Sequence, residues 1–109
     1  MDSQLNARKL ITVVTEAMLE QEVVHALEKL GVPGYTITDA RGKGDRGDRA
    51  ADWEHLANIR IEIVCEDKLA EAIIEQFQKQ FYKDYAMVVY LSDVTVLRPK
   101  KFGKREGKS

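Results

Sequence analysis

Apolar residues along this chain recur either at every second position, as in a strand, or at every third or fourth position, as in a helix. The chain changes from one pattern to the other several times. Residues 9–15 (KLITVVT) are β-branched or apolar almost throughout, which predicts a strand covered by neighbours on both sides. Alternation of apolar and polar positions predicts further strands at residues 35–40 and 58–65. Residues 87–91 (MVVYL) predict a fourth strand, and residues 94–97 a short fifth one.

Two segments have the period of an amphipathic helix. In residues 16–30 apolar positions recur every three or four residues. Glu16 and Glu20 suit the first turn of this helix, and Gly31 suits its C-cap. A second helix is predicted over residues 68–82, where large apolar residues lie four apart. Its stripe consists of Leu69, Ile73, Phe77 and Phe81.

The order of these elements defines a fold class. A β-α-β-β-α-β order predicts an α+β, ferredoxin-like fold, in which both helices cover one face of a four-stranded antiparallel sheet. The long loop of this fold, residues 41–57, connects the second and third strands. Because the strands at 9–15 and 87–91 are apolar on both sides, the opposite sheet face must also be covered, and oligomerisation would cover it.

A chain of 109 residues has room for one domain, which we place at residues 9–98. We expect a disordered N-terminus at 1–8 and a flexible basic tail at 99–109. The formal net charge of -1 gives the chain no polyanion-binding character, so no nucleic-acid partner is predicted. No signal peptide and no run of about 20 apolar residues is present, which predicts a cytoplasmic protein.

Residues suited to catalysis are sparse. Cys65 is the sole cysteine and lies in an apolar strand, where it is expected to fill the core. His25 and His55 are far apart and lack metal-ligand spacing, and no serine lies beside a histidine. The sequence therefore predicts neither an enzyme nor a metal cofactor.

The loop at 41–57 combines glycines with cations. Glycine lets backbone N–H groups turn toward an anion, and arginine suits phosphate or carboxylate oxygens. A solvated flexible loop, whose acidic residues neutralise its cations, explains the same composition. The residues concerned are Gly42, Gly44 and Gly47 with Arg41, Lys43, Arg46 and Arg49.

Four runs together resemble a known family. They are KLITVVTE (9–16), GYTITDARGKGDR (34–46), ANIRIEIVCE (57–66) and FYKDYAMVVYLSDVTVL (81–97). They resemble the PII signalling superfamily, and within it the PII-like branch of carboxysome-associated and bicarbonate-transporter-associated proteins. The resemblance implies a homotrimer that binds adenine nucleotide in clefts between subunits. It also implies that loop 41–57 is the T-loop, which docks on a membrane transporter or another protein partner.

The resemblance further implies which residues surround the ligands. The nucleotide contacts would be Gly34, Tyr35 and Thr36 from the second strand, Lys43, Arg46 and Arg49 from the loop, Glu62, Ala86, Met87 and Val88 around the adenosine, and Arg98 near the tail. Bicarbonate, the implied second ligand, would lie with the T-loop residues Arg41, Gly42, Gly44 and Arg46.

The chain also departs from the family pattern. Residues 82–87 (YKDYAM) contain no glycine where PII proteins carry a glycine-rich phosphate loop, so ADP or AMP is implied rather than ATP. Loop 41–57 has no tyrosine for uridylylation, and the basic tail has no cysteine. These departures favour the carboxysome-associated type.

Two other functions fit the same fold. A CutA-like trimeric metal-tolerance or structural protein would bind no nucleotide, and the sparse histidine and cysteine disfavour it. A small ferredoxin-fold enzyme would show turnover without a partner.

Overall fold

The computed structural model describes residues 5–42 and 57–97. Its elements are β1 (Asn6–Glu16), a 3-10 turn (Ala17–Leu19), α1 (Glu20–Lys29), β2 (Thr36–Ala40), β3 (Asn58–Cys65), α2 (Asp67–Gln80) and β4 (Met87–Val96). All strand pairs are antiparallel, and the strands stand in the order β2-β3-β1-β4. The predicted α+β, ferredoxin-like arrangement is confirmed.

One face of the sheet forms the core with both helices. Register places Ile11 opposite Ile63 and Val13 opposite Ile61, so these side chains share a face. They belong to one buried cluster with residues of α1 and α2. The helix residues of that cluster are Val23, Ala26 and Leu27 from α1, and Leu69, Ala70, Ile73 and Phe77 from α2. Both helices therefore cover the same face, as the two apolar stripes predicted.

Gly31 ends α1 through a specific backbone motif. Its φ of 83° lies in the left-handed region, which glycine adopts without a steric penalty. Its N–H donates to the carbonyl of Glu28, and the N–H of Val32 donates to that of Leu27, both at 3.1 Å. These are the two bonds of a Schellman motif, so the predicted C-cap is confirmed.

The long pairing of β1 with β4 corrects two expectations. Residues 6–8, expected in a disordered N-terminus, are the first residues of β1, because Asn6 pairs with Val96 at the end of β4. Residues 94–97 are not a separate fifth strand, since β4 is continuous through Val96. A 2.5 Å ion pair between Lys9 Nζ and Asp93 spans this pairing, and the hydrogen bond to Asp93 raises the pKa of Lys9.

The starts and ends of the helices also differ from expectation. Glu16, expected in the first turn of a helix, is the last residue of β1, with extended backbone at φ -71° and ψ 138°. The chain then enters α1 through the 3-10 turn. The second helix ends at Gln80, because Phe81 leaves the helical conformation at φ -120°. No helix in the described ranges is both long enough and apolar enough to cross a membrane.

Cys65 fills the core, as its strand position predicted. It is fully buried, and this burial, with the nearby charges of Asp67 and Glu66, raises the pKa of its thiol to about 11. The thiolate is the reactive form of cysteine. The folded protein therefore keeps this thiol protonated and shielded at neutral pH.

We expect the folded protein to resist a thiol reagent such as dithionitrobenzoate at pH 8, and the urea-unfolded chain to react promptly. The burst of released thionitrobenzoate, followed by absorbance, measures this difference.

The thiol ionises near pH 9 when unfolded but only near pH 11 when folded. Its contribution to the free energy of unfolding is therefore complete below pH 9 and is lost as the pH rises toward 11. Prompt labelling of the folded protein would show that Cys65 is accessible.

Candidate functional site

A cleft of about 380 Å³ opens on the sheet face opposite the helices. Register explains its composition, because Thr36 lies opposite Glu62 and Leu10 lies opposite Val64. The segment that leads into β2 closes one side. The residues that line the cleft are Leu10, Pro33, Gly34, Tyr35, Thr36, Glu62 and Val64. The fold thus brings together four of the predicted nucleotide contacts, Gly34, Tyr35, Thr36 and Glu62.

An ion pair sets the charge of this cleft. The guanidinium of Arg60 lies 3.2 Å from the carboxylate of Glu62, and both side chains are about half exposed. Such an exposed pair contributes little to stability. Its consequence is local, since the positive charge of Arg60 offsets a carboxylate that would otherwise repel an anion. Sequence reasoning missed Arg60, although its spacing of two residues from Glu62 on a strand places both on one face.

Gly34 lines the cleft without a side chain. Its φ lies outside the left-handed region, so its backbone does not require glycine. A Cβ built at this position would meet no heavy atom within 4 Å. Packing within the protomer therefore does not explain the glycine, and the space beside it is available to a ligand.

The other predicted adenosine contacts lie at the opposite edge of the sheet. Val88 pairs with Val14 and is 56% exposed on the face that carries the cleft. Met87 belongs to the core cluster, so only its backbone is available there. Three strand spacings separate β4 from β2, a distance of about 14 Å. Within a single chain, Ala86, Met87 and Val88 therefore do not border the cleft.

The backbone N–H groups of the turn that precedes β4 donate to acceptors within the protein. The N–H groups of Asp84 and Tyr85 donate to the carbonyl of Phe81, at 3.2 and 3.1 Å. The N–H of Ala86 donates to a carboxyl oxygen of Glu16 at 3.2 Å. Phe81 also packs edge-to-face on Phe77, with ring centres 5.3 Å apart. These three N–H groups are therefore committed within the protein and do not form a cradle for phosphate.

Thr15 completes the attachment of Ala86 to β1. Its hydroxyl donates to the carbonyl of Ala86 at 2.8 Å, and both residues are buried. Two consecutive residues of β1 thus hold the N–H and the carbonyl of one residue about 70 positions away. Sequence reasoning missed this attachment, because no local pattern shows which distant backbone group a buried hydroxyl will meet.

The remaining predicted ligand contacts are mostly outside the described residues. Arg41 and Gly42 are exposed just beyond the end of β2. The predicted contacts beyond the described ranges are Lys43, Gly44, Arg46, Arg49 and Arg98. Within residues 5–42 and 57–97, no three His, Cys, Asp or Glu side chains are grouped so that they could hold a metal ion.

Comparison with known proteins places this architecture in a family. The family model for nitrogen regulatory protein P-II matches residues 8–101. The P-II proteins of Azospirillum brasilense and Rhodospirillum rubrum are each 35% identical over 78 residues, which cover 65% of this chain and 70% of theirs. The fold and the family match together show that the chain belongs to the PII family of signalling proteins, as the four sequence runs predicted.

Solved structures extend the comparison to the PII-like branch. A PII-like signalling protein of Thermus thermophilus is 40% identical, with a TM-score of 0.76 over 91% of this chain and 98% of that one. CPII of Thiomonas intermedia, solved with ADP, AMP and acetate, is 30% identical, with a TM-score of 0.80 over 91% and 97% of the two chains. CPII has also been solved with ADP and bicarbonate, at 30% identity and a TM-score of 0.78 over 90% and 96%.

We expect Thr15→Val to lower the free energy of unfolding by about 1–3 kcal/mol, because it preserves shape but leaves the buried carbonyl of Ala86 without its donor. Urea unfolding followed by circular dichroism measures the change. The control is Thr95→Val, at an exposed position of β4, with an expected change within about 0.5 kcal/mol. Equal effects of the two substitutions would show that the hydrogen bond contributes nothing.

Proposed function

We propose that this protein is a non-enzymatic, cytoplasmic signal transducer that binds ADP or AMP between the subunits of a homotrimer, together with bicarbonate. Through loop 41–57 it would regulate inorganic-carbon uptake or carboxysome-linked metabolism, by docking on a membrane transporter or another protein. The observation that carries the proposal is the cleft at Gly34, Tyr35, Thr36 and Glu62. The ligands of CPII, a structural neighbour in the same branch, indicate what the cleft would hold.

The division of the predicted contacts supports a site between subunits. The cleft borders β2, whereas Met87 and Val88 begin β4 at the far edge of the sheet and Ala86 comes just before them. A nucleotide bordered by both groups requires a second copy of the chain. The exposed face provides a surface for that copy, because Val88 and Tyr90 are 56% and 47% exposed on it. Their strand partners on β1, Val14 and Thr12, share that face.

The proposed preference for ADP or AMP follows from the available donors. The turn before β4 keeps the N–H groups of Asp84, Tyr85 and Ala86 for internal acceptors. Phosphate charge must then be met by side chains, for which Arg41 and the loop cations are the candidates. With fewer backbone donors, a third phosphate would be poorly compensated.

A thermal-shift series tests the proposed function. ADP or AMP at about 100 times its dissociation constant should stabilise the trimer by about 2.7 kcal/mol, and the melting temperature should rise accordingly. The series uses AMP, ADP, ATP and cyclic AMP, each with and without bicarbonate. A larger shift with ADP plus bicarbonate than with either alone would indicate joint binding. No shift with either ADP or AMP would contradict the proposal.

A matched pair of substitutions on β2 tests the location of the site. Thr36 lines the cleft, whereas Thr38 lies two residues further along the same face and outside the lining. Thr36→Val removes a hydroxyl without changing shape, so ADP affinity should fall about fivefold, the equivalent of one hydrogen bond of about 1 kcal/mol. Thr38→Val should leave the affinity unchanged in calorimetry. If both variants bind ADP as the natural protein does, the ligand lies elsewhere.

The alternatives receive no support from a specific observation. The match to the PII family disfavours a CutA-like metal-tolerance or structural protein. No arrangement in residues 5–42 and 57–97 favours a small ferredoxin-fold enzyme.

A further inference from the structure

Glu16 has an unusual place for an acidic residue. It is the last residue of β1 and only 5% exposed, in a position where sequence periodicity predicted a helix start. Its carboxyl oxygen Oε2 accepts the N–H of Ala86 at 3.2 Å. Burial of a carboxyl group is costly unless the structure supplies partners. The side chain therefore serves a specific attachment and not solvation.

This attachment lies at the end of the sheet where several segments meet. Register places Glu16 opposite Asn58, and Asn58 opposite Ala40, in one row across three strands. The next residue, Ala17, donates its N–H to the carbonyl of Ala57 at 2.9 Å. Ala86 follows on the other side of β1, just before β4 begins. Glu16 thus joins the start of β4 to the row of strand ends at this end of the sheet.

Ala86 is the residue through which the turn enters β4, and two side chains of β1 hold its backbone. Ala86 precedes the first ladder pair of β4, between Met87 and Thr15. Its N–H depends on Glu16 and its carbonyl on Thr15. Loss of the Glu16 bond would leave the N–H of Ala86 without its acceptor at the entry to β4, while the Thr15 bond and the ladder from Met87 onward persist.

We propose that Glu16 is a positioning residue for the nucleotide, acting through the backbone of Ala86 to fix the segment that borders the adenosine. This inference rests on the proposed function, because it requires that ADP contact residues 86–88. Glu16 itself does not touch the ligand. Its effect on affinity comes from restricting the entry to β4 to one geometry before ADP binds.

Three substitutions separate the hydrogen bond from charge and size. Glu16→Gln keeps the length and an acceptor oxygen, so ADP affinity should stay within about twofold of the natural protein. Glu16→Asp keeps the charge but is one methylene too short to reach Ala86. Glu16→Ala removes the acceptor altogether. The Asp and Ala variants should both bind ADP at least about fivefold more weakly. If the Ala variant does not fold, the contrast between Asp and Gln still decides the question.

The control for general destabilisation is Ile73→Val, which trims a fully buried core residue of α2. This substitution costs about 0.5–1.5 kcal/mol of stability and leaves the Glu16 and Thr15 side chains that hold Ala86 in place. It should leave ADP affinity and local exchange unchanged. In Glu16→Asp, amide hydrogen exchange should accelerate in the peptide that contains Ala86, since this N–H loses its acceptor.

Calorimetry with ADP on the full-length trimer, combined with exchange measured by mass spectrometry, gives the outcome. If Glu16→Asp binds ADP like the natural protein, or if Ile73→Val loses affinity equally, the positioning role is overturned while the proposed function stands. If the natural protein binds neither ADP nor AMP, the proposed function fails, and the role of Glu16 fails with it.

Discussion

The structure depends on one constraint, the pairing of β1 with two neighbours at once. β3 lies on one side and β4 on the other, so each of residues 9–15 of β1 is fixed in a row that crosses the sheet. A slip of one residue would turn Ile11 and Val13 away from the helices and bring Leu10 and Val14 into the core. Because the buried face is filled by large apolar side chains, such a slip is strongly disfavoured.

The same alternation determines the other face of the sheet. Residues of β1 between those of the core point away from the helices, next to the exposed Val88 and Tyr90 of β4. Exposed apolar surface of this kind marks interaction sites on soluble proteins. In the proposed trimer this face would meet the neighbouring copies, and the cleft beside β2 would be completed by the β4 edge of another subunit. Ligand binding and assembly would then stabilise each other.

Much of the fold could be predicted from local patterns, and the exceptions share one cause. The limits of β3 were predicted to the residue, because its alternation is strict and the end at Cys65 is sharp. The extension of β4 was missed because Ser92 and Asp93 interrupt the apolar pattern, although they pair with Leu10 and Lys9. Edge strands tolerate such polar residues. Their secondary structure depends on a partner strand that the local sequence does not reveal.

The candidate site likewise combines residues that a local sequence run identifies with residues whose roles arise only from tertiary contacts. The cleft residues at 34–36 were found through resemblance, since a short run carried them. Their meeting with Glu62 depends on the pairing of β2 with β3. Arg60, Thr15 and Glu16 were missed because their roles arise from tertiary contacts. A sequence run identifies what a segment resembles, whereas a register or a buried hydrogen bond appears only in the folded chain.

The turn before β4 gives the proposed site a particular physical character. A glycine-rich cradle would hold phosphate with backbone donors that are already in place. Here the N–H groups of Asp84, Tyr85 and Ala86 are committed, so charge compensation would come from arginine side chains. Ordering long side chains costs conformational entropy, which only a bound anion would repay. Charge compensation by side chains in place of backbone donors would therefore be completed only when the ligand binds, which would couple the proposed site to ligand occupancy.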